Sequence, residues 1–362
     1  VYVSEIKCLG NKREEESYQL KALVLKDYNR FSYEDVPQPE YDSDDLLIQV
    51  KACSICGSDV HGMDGSTGRR IPPVIMGHEA SGIVAAMGAN VKGFAVGDRI
   101  TFDSTIYCGR CYYCRKGQIN LCDNRRVLGV SCNEYRQNGA FAEYVTIPHH
   151  IAYHLPEGLS FEKAAMVEPV SVAVHAVSRS PVTLNDTAVV VGVGMIGLFV
   201  LQVLRLAGCR QIIAVDLDQS KFDLARQFGA THCLAANQGD LLAQIANLTN
   251  GRGADISFEA VGITPTVKTA VDVLRKGGTL TLVGNLKPMV DFPLQPVVTR
   301  QISVLGTCAS NGEYPICLDL IESGKVNVDA LISATVPLQE GAEWFQRLYN
   351  KEPGLMKVIL IP

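Results

Sequence analysis

Cys56, His78, Glu79 and Glu168 stand apart along the chain, in CSICGSDVH, GHEASG and EPVSVAVHA. Any one of them alone is weak evidence, because a lone cysteine or histidine more often packs in a core than binds a metal. Together they are the thiolate, imidazole and carboxylate mixture that holds a catalytic zinc while keeping one position open for a reactant. A second set is dense. The stretch CGRCYYCRKGQINLC places Cys108, Cys111, Cys114 and Cys122 in the form C-x2-C-x2-C-x7-C. Four thiolates close a tetrahedral sphere, so this set predicts structural zinc with no room for substrate. An iron–sulfur cluster also takes four cysteines, but the familiar ferredoxin spacings differ.

The run VVVGVGMIG carries Gly192, Gly194 and Gly197 in G-x-G-x-x-G spacing, with Met195 and Ile196 between the last two. It follows an apolar strand-like run and opens a helix-like one, the context in which the motif binds a dinucleotide. The first glycine permits a tight turn, the second lets a pyrophosphate approach the backbone, and the third lets helix and strand pack closely. The helix N-terminus then offers N–H groups to the anion. Asp216 ends the next apolar strand, where a carboxylate can accept hydrogen bonds from a ribose 2′-OH and repel a 2′-phosphate. The expected cofactor is NAD. A glycine-rich turn without a ligand and a helix-capping aspartate are the plainer readings of these residues.

The elements that must hold these groups change character along the chain. Residues 1–20 form a polar extension without an apolar period. From KALVLK to about residue 160 the patterns are short and β-like, punctuated by Gly, Pro and Asp. Near residue 185 strands begin to alternate with helices (TAVVVGVG, MIGLFVLQVLRLAG, QIIAVD, QSKFDLARQFG), and the strands read as continuous Val/Ile/Leu runs. That rhythm implies a parallel sheet covered on both faces. After about residue 300 the chain returns to mixed character. The order predicts a β-rich domain (21–165 and 304–362) interrupted by an α/β domain (166–303).

Composition narrows the partners. The chain has 362 residues, 47% hydrophobic, with a net charge of -5 and no basic run. Such a balance argues against nucleic-acid or anionic-membrane partners and for a small-molecule ligand. With no apolar stretch of membrane-spanning length and no signal-peptide order, a cytoplasmic location is expected. Twelve cysteines in that reducing compartment point to metal ligation rather than disulfides.

Read in order, CGSDVH, GHEASGIV, the four-cysteine lobe, EPVSVAVHA and GVGMIG make the chain, from about Lys21 onward, resemble a zinc-dependent medium-chain dehydrogenase/reductase of the sorbitol (polyol) dehydrogenase-like branch. The resemblance implies a GroES-like β-rich catalytic domain with an inserted Rossmann domain, a doubly wound parallel sheet, and an active site between the two. It implies two zinc ions per chain. Cys56, His78 and Glu79 would be catalytic ligands, with Glu168 as fourth ligand or as the carboxylate holding the water on the metal. Ser58 and His61 match the proton-relay positions. The implied reaction moves a hydride between a secondary alcohol, of polyol or sugar-alcohol type, and NAD. A Lewis acid serves this chemistry by making a bound hydroxyl easier to ionise.

Three places depart from the animal sorbitol dehydrogenases. Gly62 stands where they carry an aromatic, and Cys308 and Ala309 stand about where they carry an Arg-Tyr pair, which makes sorbitol itself doubtful as substrate. Arg69 and Arg70, in GMDGSTGRRIPP, could meet a substrate phosphate or be solvated on a loop, and Arg300 raises the same question. A threonine-type or other secondary-alcohol dehydrogenase, and a non-catalytic nicotinamide-binding relative, are the alternatives. A homodimer or homotetramer is expected, since sheet edges in such domains invite pairing.

Overall fold

The structure is a computed structural model that describes residues 19–132 and 136–362. Most of the polar extension, residues 1–18, lies outside the described residues; its last two, Gln19 and Leu20, belong to the first strand, Gln19–Asp27.

The apolar runs after residue 185 form a six-stranded, wholly parallel sheet. Its order is His232–Ala235, Gln211–Asp216, Thr187–Val191, Ala254–Glu259, Leu274–Leu282, Ser303–Gly306. Numbered by appearance, that is 3-2-1-4-5-6, the Rossmann order, with its switch point between Thr187–Val191 and Ala254–Glu259. Continuous apolar strands are required because side chains alternate between two buried faces. Ala188 and Val190 join the core beneath the helices Val167–Arg179 and Met195–Leu206, while Val189 and Val191 join the opposite core with Ile245, Ala270 and Val271. The sheet extends through Gly306, so the expected domain boundary at residue 304 falls inside its edge strand.

The β-rich part is built from two main sheets. Arg30–Pro37, Gln19–Asp27 and Val74–Ile75 form the smaller. In the larger, Asp45–Ser54 is central, pairing antiparallel with Glu79–Met87, with Tyr144–Pro148 and with the C-terminal strand Lys357–Ile361. Two pairings matter for the site: Ser54 lies opposite Glu79, and Ile359 lies opposite Ser54. They bring three segments distant in sequence to one end of the sheet. Among the described residues no helix is long and apolar enough to cross a membrane.

Candidate active site

Cys56 follows the strand Asp45–Ser54 and caps the one-turn helix Gly57–Val60, while Glu79 opens the neighbouring strand with His78 just before it. Strand pairing therefore gathers what sequence separates. One ligand atom from each of Cys56, His78 and Glu79 lies within 4.8 Å of the others. Glu168, in the first turn of Val167–Arg179, stands outside that tight group but acts on it electrostatically. Burial, with the charges of Glu79 and Asp103, pushes its carboxyl up to about 7 against the opposing pull of His78 and Lys357.

The group fits a cation. Glu79 Oε1 is buried without a hydrogen-bond partner among the described residues, which is costly unless something else compensates it. Burial would lower the His78 pKa, yet Asp59 and the Cys56 sulfur raise it well above the usual value, so this spot favours positive charge. The donor set of sulfur, nitrogen and oxygen suits zinc.

Supporting groups that the sequence reading did not single out surround the ligands. Lys357, 2% exposed, donates from Nζ to Glu79 Oε2 at 2.6 Å and to the Ile55 carbonyl at 3.2 Å. Ser54 donates to the same carboxylate oxygen. Asp59, fully buried, has Oδ2 at 3.4 Å from His78 Nδ1 and accepts from Arg70 through Oδ1. Burial alone would raise its carboxyl, but His78 and Arg70 hold it well below the carboxylate range. One signal for Lys357 was available: it is a lone charge entering the apolar run MKVILIP. Asp59 lay unused inside CGSDVH.

Ser58 donates to Cys56 Sγ at 3.3 Å. His61 sits at the end of the same short helix, its pKa lowered by burial and by Lys351. Among the described residues no hydrogen bond joins Ser58 to His61.

Two arginine expectations are corrected. Arg70 is neither solvated nor open to a substrate phosphate: it is 2% exposed and spent on Asp59. Arg300 donates to the carbonyls of Val271 and Leu274, closing the end of the helix Thr264–Asp272 rather than facing a ligand. Arg69 is exposed. At the substituted pocket positions, Cys308 Sγ accepts from Arg125 at 3.1 Å, its carbonyl accepts from Asn120, and Ala309 has φ of 49°.

The sulfurs of Cys108, Cys111, Cys114 and Cys122 converge within 4.8 Å. Backbone N–H groups of Cys108 and Asn124 point at Cys122 Sγ, each at 3.3 Å. Burial and the adjacent Cys111 and Cys122 push the Cys114 thiol up to about 12, so a cation is what would let all four ionise together. Every cysteine among the described residues is free of disulfides.

The glycine turn joins the strand Thr187–Val191 to the helix Met195–Leu206. Gly192 has φ of 92°, and a Cβ on Gly197 would lie 1.9 Å from the Gly192 carbonyl oxygen. A Cβ on Gly194 would meet nothing within 4 Å, leaving space in front of the helix it caps. Asp216 ends its strand and accepts from the Val193 N–H at 2.8 Å, which ties it to the turn, while Lys221 Nζ stands 3.8 Å away.

Known proteins resemble this chain in sequence and in fold. Residues 42–157 match the alcohol dehydrogenase GroES-like domain and residues 195–323 the zinc-binding dehydrogenase domain. The chain is 36% identical to D-arabitol-phosphate dehydrogenase of Enterococcus avium, over 89% of this chain and 91% of that protein. It is 34% identical to D-xylulose reductase A of Aspergillus oryzae, over 90% and 93%. The chain belongs to the zinc-dependent medium-chain dehydrogenases, in the polyol dehydrogenase branch. In three dimensions it is similar to a zinc-binding dehydrogenase of Sinorhizobium meliloti 1021 bound to NADP, with a TM-score of 0.87, 34% identity, and coverage of 95% of this chain and all of that one.

Proposed function

We propose that this zinc-dependent dehydrogenase oxidises a secondary alcohol of a polyol or sugar alcohol to a ketone with NAD, at the site built on Cys56, His78, Glu79 and Glu168. The observation that carries this reading is the convergence of one ligand atom from each of the first three within 4.8 Å, with Glu79 Oε1 buried and without a hydrogen-bond partner among the described residues. Zinc held there would act as a Lewis acid, making a substrate hydroxyl easier to ionise. NAD supplies the hydride acceptor.

The chain's own residues do the rest. Cys56, His78 and Glu79 hold the metal, and Glu168 fixes water or substrate beside it. His61, whose lowered pKa favours a neutral imidazole, accepts the alcohol proton. Ser58 links the reacting oxygen to it through water or a substrate hydroxyl, since the two side chains share no direct bond. The four-cysteine lobe holds a structural zinc. Gly192, Gly194, Met195, Ile196 and Gly197 seat the pyrophosphate, and Asp216 takes the ribose hydroxyls.

The D-arabitol-phosphate relative leaves open a phosphorylated substrate, which Arg70 is not free to bind. The enzyme is placed in the cytoplasm, where unpaired thiols persist. It is proposed to pair through the sheet edge Ser303–Gly306, where Val304 is 38% exposed.

The test is reduced-nicotinamide formation with NAD and with NADP across polyols, polyol phosphates, inositols, amino-alcohols and simple secondary alcohols, alongside metal counting. Turnover of a polyol, abolished by Cys56→Ser, is expected. Turnover undiminished by that substitution, or absent from every polyol while a simple secondary alcohol or an amino-alcohol reacts, overturns the reading.

A further inference from the structure

Arg70 is buried beside its exposed neighbour Arg69, and a buried guanidinium must be well compensated. Its Nε and Nη2 both donate to Asp59 Oδ1, at 3.1 and 2.7 Å, and Nη2 also donates to Ser58 Oγ at 3.3 Å. Each acceptor touches a different member of the metal cluster. Asp59 Oδ2 lies 3.4 Å from His78 Nδ1, and Ser58 Oγ donates to Cys56 Sγ at 3.3 Å.

We propose that Arg70 is a positioning residue that locks Cys56 and His78 in register with one another, one guanidinium bracing both ligands through Ser58 and Asp59. The proposal rests on the reading of the Cys56, His78 and Glu79 cluster as a zinc site. Groups behind metal ligands orient them and tune the metal, but here one side chain serves two residues from separate segments, one at a helix cap and one just before a strand. The planar fork of arginine adds a second bond to Asp59 from Nε, which the ammonium of lysine has no second nitrogen to make.

The fold builds Arg70 into place. Ser131 holds the backbone on both sides of it, its N–H donating to the Arg69 carbonyl at 3.1 Å and its hydroxyl to the Ile71 carbonyl at 3.0 Å. The arginine stem passes over Gly62, where a Cβ would lie 2.5 Å from Arg70 Cγ. Gly62, where the animal enzymes carry an aromatic, is the space that this stem uses.

The test is zinc per chain during dialysis against a chelator, paired with the absorption spectrum of the enzyme carrying Co2+ at the catalytic site. Arg70→Gln is expected to keep the four-cysteine zinc, release the other at least tenfold faster than the parent, and shift the cobalt bands. Arg70→Lys should fall between, and Arg69→Gln should match the parent. Parent-like release and an unchanged cobalt spectrum in Arg70→Gln overturn the proposal. Should that variant not fold, the same parent-like behaviour in Arg70→Lys overturns it. A parent that binds one metal, and loses none on Cys56→Ser, overturns the zinc reading and the proposal with it.

Discussion

Replacing Lys357 with methionine strands a buried carboxylate. Glu79 is 1% exposed, and its Oε2 accepts from Lys357 Nζ at 2.6 Å, while Oε1 has no hydrogen-bond partner among the described residues. Methionine matches the lysine stem but carries no charge, so the loss isolates the ion pair from packing. Breaking one side of a buried pair costs about 3–5 kcal/mol. For a domain of this size each kcal/mol moves Tm by about 2–4 °C, so Lys357→Met should lower the melting of the β-rich domain by roughly 6–20 °C.

A double-mutant cycle with Glu79→Gln identifies the cause. Each single variant leaves a buried polar group without its partner, whereas the double variant leaves neither charge. The double should therefore be more stable than the sum of the two single losses predicts, by about 2 kcal/mol or more. Scanning calorimetry on all four proteins, with no metal at the Cys56, His78 and Glu79 group, reads this directly. A Tm change below about 2 °C in Lys357→Met, or additive losses around the cycle, would refute the assignment of Lys357 as the counter-charge of Glu79.

Cys111→Ser should release the structural zinc and cost several kcal/mol of stability, because metal binding at such sites contributes to folding. Cys56→Ser should instead lower turnover on the order of a thousandfold with little change in melting, measured side by side with metal content. Burial pushes the Asp103 carboxyl up to about 6. A raised folded pKa stabilises fully below the unfolded value near 3.9 and is lost as pH rises through 6, so Asp103→Asn should gain about 3 kcal/mol relative to the parent between pH 4 and 7; parallel denaturation curves would contradict this. Gly197→Ala must push the helix off the strand, since its Cβ would lie 1.9 Å from a carbonyl oxygen, and dinucleotide affinity by fluorescence titration should fall roughly tenfold or more. Val304→Lys on the exposed sheet edge should shift light scattering toward the monomer.

The parallel sheet was legible because each strand must bury both faces, which writes an unbroken apolar run into the sequence. The glycine turn was legible because close approach excludes a side chain at Gly197 whatever the rest of the chain does. The convergence of the four cysteines was legible for the opposite reason: they are local, so spacing alone brings their sulfurs together. The edge strand Ser303–Gly306 was divided by the expected boundary because its exposed, mixed pattern lacks the two-faced apolar signal.

What spacing could not carry was the charge balance around Glu79 and His78. Lys357 reaches Glu79 across 278 positions of sequence, through the antiparallel pairing of the last strand with Asp45–Ser54. Arg70 reads from sequence like its neighbour Arg69, yet one is buried on Asp59 and the other faces solvent. Motifs name the atoms that touch a metal, since those must recur in a fixed chemical pattern. The cations that offset the accompanying buried carboxylates can come from any segment the fold brings near. Their identity is therefore fixed by sheet register, and sheet register is the property that short motifs do not contain.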